Sequence, residues 1–119
     1  MDSIRIESGK RRIAINDDPE RVITFDPQDI LFAERFYAAY LEFETKKAAF
    51  EERLRTVGTG TLDGNGIPID VDQGIACMKE MCVFMREKID LLFGAGTSEM
   101  VFGDTLSLKM IGQFLDGIT

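Results

Sequence analysis

The stretch DPQDILFAERFYAAYLEF, residues 26–43, opens with helix-start residues and continues as a segment that is apolar on almost every side. Asp26 is placed to cap, Pro27 stands at the first helical position, and Asp29 supplies a carboxylate three residues after the cap. A long helix over 26–56 follows, because Phe32, Phe36, Tyr40, Phe43, Phe50 and Leu54 recur at helical spacing and form one continuous stripe. The stripe alone is what a core-facing helix needs. The first half goes further: between Ile30 and Phe43 the polar residues are Glu34, Arg35 and Glu42. A helix apolar nearly all round must be covered on more than one side, and a chain of 119 residues has few elements with which to do it. The second half, with Glu44, Lys46, Lys47, Glu51, Glu52, Arg53 and Arg55, reads as solvated and carries a Glu51 to Arg55 pair one turn apart.

On the N-terminal side, residues 3–8 alternate with Ile4 and Ile6 on one face, and residues 12–15 alternate with Ile13 and Ile15. This period of two predicts paired strands turning at Gly9 and Lys10. Residues 21–25 form a third strand entered through the turn Asn16, Asp17, Asp18, Pro19. On the C-terminal side, residues 57–71 hold Gly58, Gly60, Gly64, Gly66 and Pro68 and read as a flexible loop. A second long helix fits 72–93, where Ile75, Met78, Cys82, Met85, Ile89 and Leu92 alternate three and four apart. Gly94 ends it, and residues 97–118 hold two short helical pieces, 98–102 and 104–118, separated by Gly103. The fold class is therefore mainly α with a small N-terminal β-hairpin, an α+β domain built on two long antiparallel helices plus short C-terminal helices. The whole of 1–119 forms a single domain.

The net charge of −7, from 14 basic and 21 acidic residues, repels a phosphate backbone, so nucleic acid is not expected as a partner. Apolar runs fall far short of the ~20 residues that a membrane span needs. Met1, Asp2 and Ser3 begin no secretory signal, which places the protein in the cytoplasm. Cys77 and Cys82 are five apart in a helical pattern, on different faces, and read as reduced packing residues.

Chemistry finds little to work with. There is no histidine to serve as acid or base, and neither cysteine has an activating neighbour. The run Asp63, Gly64, Asn65, Gly66, Ile67, Pro68, Ile69, Asp70 starts like a calcium loop but has Ile67 where an oxygen donor belongs. Gly94, Ala95, Gly96, Thr97 lacks the lysine and strand of a phosphate-binding loop. No enzyme, metal or cofactor is expected. Met78, Met81, Met85, Met100 and Met110 gather in the C-terminal half, as adaptable filling of a core or of a binding surface.

Three stretches in order carry a family resemblance: the N-terminal hairpin running into Phe25, Asp26, Pro27 and an aromatic helix; Ile89, Asp90, Leu91, Leu92, Phe93, Gly94; and Gly94 to Asp104 followed by a helix ending Phe114, Leu115, Asp116. In this layout the chain resembles the tail assembly chaperones of long-tailed phages and prophages of Gram-positive bacteria. The resemblance implies a non-enzymatic chaperone of the host bacterial cytoplasm that shields the tape measure protein until tail tube protein replaces it. The alternative is a structural subunit or regulatory interaction module of the particle. A homo-oligomer is expected from the uncovered half of the first helix. Candidate partner-binding residues are Phe36, Tyr37 and Tyr40 on that helix, and Phe102, Lys109 and Gln113 near the C-terminus. Phe93, Gly94 and Gly103 are read as pivots that aim the terminal helix.

Overall fold

The computed structural model describes residues 1–55, 57, 60 and 62–118. Among them, two strands, β1 (Arg11–Ile15) and β2 (Asp18–Phe25), precede four helices, α1 (Ile30–Arg55), α2 (Val71–Phe93), α3 (Thr97–Phe102) and α4 (Leu108–Ile118). This is the mainly helical fold with a small N-terminal hairpin that the sequence predicts. The predicted helix end at Thr56 and the loop residues Gly58, Thr59 and Thr61 lie outside the described residues.

The hairpin differs from the expected one. Its turn is at Asn16 and Asp17, both left-handed with φ of 53° and 60°, as a two-residue turn matching the strand twist requires. Residues 3–8 form no strand and stand exposed, and Gly9 does not make the predicted turn because its N–H donates to the Asp26 carboxylate. Ile13 pairs with Ile23 and Arg11 with Phe25, so Ile23 and Phe25 enter the core from the inner face. The register slips between Ala14 and Ile15, which leaves Pro19, Glu20 and Arg21 in a bulge. From that bulge the Arg21 guanidinium donates to the carbonyls of Met100 and Val101 at 2.8 to 3.1 Å, tying the hairpin to the last turn of α3.

Helix α1 begins later than Asp26 and Pro27 predict. Asp26 instead accepts the N–H of Gln28, and Asp29 takes the capping role, its carboxylate accepting the Leu31 N–H at 2.9 Å. Helices α1 and α2 run antiparallel: Glu42 pairs with Lys88, Lys46 lies over the Phe84 ring, the Cys77 thiol faces the Phe50 carbonyl, and Arg53 pairs with Glu80. Gly74 permits close approach at the far end, where a Cβ would meet Val57 at 2.8 Å. The buried face of α2 is therefore Gly74, Cys77, Cys82, Phe84 and Ile89, whereas Ile75 and Met78 of the predicted stripe are exposed. The intervening segment is partly organised: Leu62 bridges Pro68, and the Asp63 carboxylate accepts the N–H groups of Asn65 and Ile67.

The main core sits at the other end of the molecule, where Ile23, Phe25, Cys82, Ile89, Val101, Phe102, Ile111 and Phe114 pack together. A run of phenylalanine rings links the elements: Phe36 to Phe32 in α1, Phe25 in β2, Phe93 in α2, Phe114 in α4 and Phe102 in α3, with centroids 5.3 to 6.2 Å apart. The result is long and thin, 82 × 30 × 20 Å, with a radius of gyration of 19.1 Å. A compact chain of this length would have about 13.5 Å.

Candidate functional site

Helix α1 rests on α2 alone along most of its length, and its buried residues are Ala39 and Phe50. With one covered side, the aromatic half presents the rest of its surface outward. Ile30, Leu31, Phe36, Tyr37, Tyr40 and Leu41 are all exposed, Tyr37 to 62% and Tyr40 to 51%. Scattered exposed apolar residues are ordinary, but here six fall between positions 30 and 41 of a single helix.

The patch deepens into a groove where α1 passes α2 and α4. Phe36, Ala39, Tyr40 and Phe43 make one wall, Met85, Ile89 and Leu92 the floor, and Leu115 with Ile118 of α4 the far wall, around a volume of about 220 Å³. The lining is almost wholly apolar apart from Lys88, whose ammonium is engaged by Glu42 at the lip. Met85 gives the floor an adaptable surface. Such a groove suits an apolar helix or extended segment.

The predicted site residues separate into groups. Phe36 and Tyr40 share this groove and Tyr37 continues the patch around α1. Phe102 is 5% exposed and packs edge-on against Phe114, so it supports the fold and presents little to a partner. Lys109 and Gln113 are exposed on α4, but Gln113 lines a different groove, one running between α4 and β1. Phe93 meets Phe25 and Phe114 edge to face, while Gly94 and Gly103 hold φ of 114° and 61°, so the three do form the corners between α2, α3 and α4.

Two contributors escaped the sequence. Asp90 reaches from α2 across the corner, accepting the Ser98 N–H at 2.7 Å and the Ser98 hydroxyl at 3.0 Å, and so caps α3 from a neighbouring helix. Arg21 closes the opposite end of α3 from the hairpin. Asp90 reaches eight residues along the chain and Arg21 as many as 80, and both are residue types that also look ordinary on a surface, so no local pattern distinguishes them. Among the described residues, no cluster of three or more potential ligands could hold a metal ion, and no helix is long and apolar enough to cross a membrane. Burial raises the Cys82 thiol above its ordinary range, against a weaker opposing pull from the Arg86 charge.

The fold and this face define a small α+β protein whose longest helix keeps an aromatic face uncovered. Over residues 20–119 the chain matches a family of unknown function, DUF6673, and it belongs to that family. No curated protein and no solved structure matches it.

Proposed function

We propose that this protein is a non-enzymatic assembly chaperone that binds and shields an apolar helical client, the tape measure protein of a phage tail, until tail tube protein takes its place. The observation that carries the reading is the exposed aromatic patch of α1 continuing into the groove between α1, α2 and α4. A surface of this kind is a liability unless something covers it, and a net charge of −7 keeps such a protein dispersed while it waits. The layout resemblance supplies the client's identity; the groove supplies its chemistry.

Co-expression with a phage tape measure protein, followed by co-purification, tests the proposal. Tyr37→Lys with Tyr40→Lys should leave the melting temperature within a degree or two, since both residues are more than half exposed, while capture falls by roughly tenfold or more. Full capture by the double variant would remove the α1 face from consideration. Mass spectrometry of mature particles separates the alternative: a chaperone is absent from them, a structural subunit is present.

A further inference from the structure

The hairpin has one strand fewer than its sequence can make, and a vacant place beside it. Among the described residues the sheet has two strands, fewer than the three or more that give a sheet independent stability. The second groove runs along β1: the consecutive residues Ile13 to Asn16 line it, with Ile23 as the contributor from β2, and Met110, Phe114 and Ile118 of α4 form its floor. Both Ile13 and Ile15 are only half-buried there. Earlier in the chain, Ile4 and Ile6 alternate with polar residues in strand fashion and are 87% and 89% exposed.

The same copy does not close this gap. Folding residues 3–8 back onto β1 needs a two-residue turn at Gly9 and Lys10, with glycine at positive φ in its first place. Gly9 does not adopt positive φ; its N–H is held by Asp26, and a Cβ built on it would meet the Asp26 and Gln28 side chains at 2.7 Å. The anchor at Asp26 packs Gly9 against the lead-in to α1 and sends residues 1–8 away from their own sheet.

We infer that residues 3–8 of one copy add as a third, antiparallel strand to the outer edge of β1 in a second copy, and that the exchange is reciprocal. With Ile6 opposite Ile13 and Ile4 opposite Ile15, both isoleucines enter the groove over α4. The same register sets Glu7 opposite Arg12 on the outer face, an opposite-charge cross-strand pair. Two extended segments then cross at a two-fold axis near Gly9 and Lys10, joining two hairpins into one continuous sheet, an arm exchange about an opened hinge. Surface area agrees. The chain exposes 8763 Å², roughly 2,300 Å² more than the ~6,500 Å² of a compact protein of its mass, whereas a stable dimer needs about 800 Å² from each partner. The β1 groove is distinct from the client groove, which it meets at Ile118, so the exchange stands or falls apart from the chaperone reading.

Sedimentation of the full chain over a wide concentration range, with amide hydrogen exchange on the same samples, tests the inference. The expected result is a dimer in which residues 3–8 are protected, with protection disappearing on dilution to monomer. Ile4→Asp with Ile6→Asp should raise the dimer Kd by roughly tenfold or more, and Ile4→Val with Ile6→Val should not. Removal of residues 1–8, which are exposed and irregular, should give a folded monomer. A dimer that survives this removal, protection independent of concentration, or an absence of protection at every concentration would each overturn it.

Discussion

At the residue scale, the corner from Asp90 to Gly103 depends on a few atoms that no neighbour can replace. Asp90 holds both the N–H and the hydroxyl of a buried Ser98, so Asp90→Ala should cost about 1 to 2 kcal/mol in chemical denaturation, the range of a lost helix cap. Phe102→Ala empties a site between Val101 and Phe114 in the core cluster and should cost about 3 to 5 kcal/mol. Gly103 sits at φ 61°, ψ −137°, a region closed to branched side chains, so Gly103→Val should destabilise by about 1 to 3 kcal/mol although open space surrounds the position. Cys82 gives the pH-dependent counterpart. Its neutral thiol is favoured by burial, so the associated stability is full below the ordinary thiol pKa and is lost as pH rises from there through the raised folded value. Alkylation of the native protein at neutral pH should therefore be slow and should accelerate on unfolding.

Among the elements, α4 has two lives. Ile111, Phe114, Leu115 and Ile118 hold it to the core, while Lys109 is exposed and Gln113 lines the β1 groove, and neither lines the client groove. Lys109→Glu with Gln113→Glu should melt like the parent and still capture client in full, and lost capture would enlist α4 as a binding arm. Helices α1 and α2 were legible in the sequence because their apolar periodicity runs for six or more turns, and the glycine corners were legible because few other residues stop helices in that way. The hairpin was legible in type but not in position: the alternating pattern of residues 3–8 is strand-like, yet pairing depends on whether Gly9 is free to turn, and Asp26, which takes its N–H, lies 17 residues on. Helix α1 starts late for a related reason, since Asp26 and Asp29 are both plausible caps and Asp26 is already engaged with Gly9 and Gln28. On α2 the sequence stripe placed Ile75 and Met78 inward, but the close approach allowed by Gly74 rotates the buried face to Gly74 and Cys77. Of the candidate site, the α1 aromatics and the α2 floor residues Met85, Ile89 and Leu92 could be read from the sequence as apolar stripes, whereas the far wall lent by Leu115 and Ile118 requires knowing where α4 lies.

For the whole molecule, the decisive property is that burial is lopsided. The phenylalanine run and the Arg21 and Asp90 anchors all belong to the end where the hairpin, α3 and α4 meet, while the opposite tip of the helical pair is held by Phe50, Cys77, the Gly74 contact and an exposed Arg53–Glu80 pair. Exposed ion pairs add little, so the tip should be much the weaker part. Amides of residues 46–55 and 71–80 should then exchange well before those of 84–102, in a partial opening that leaves the aromatic end intact. Fraying of this kind gives the protein a zip that opens from the tip, and each turn that opens shortens the stretch of α2 on which α1 is braced. A long bound segment lying across both helices would draw that zip shut, so occupancy would be reported at a distance, by slowed exchange around Phe50 and Cys77, residues that no ligand in the α1–α2–α4 groove has to touch.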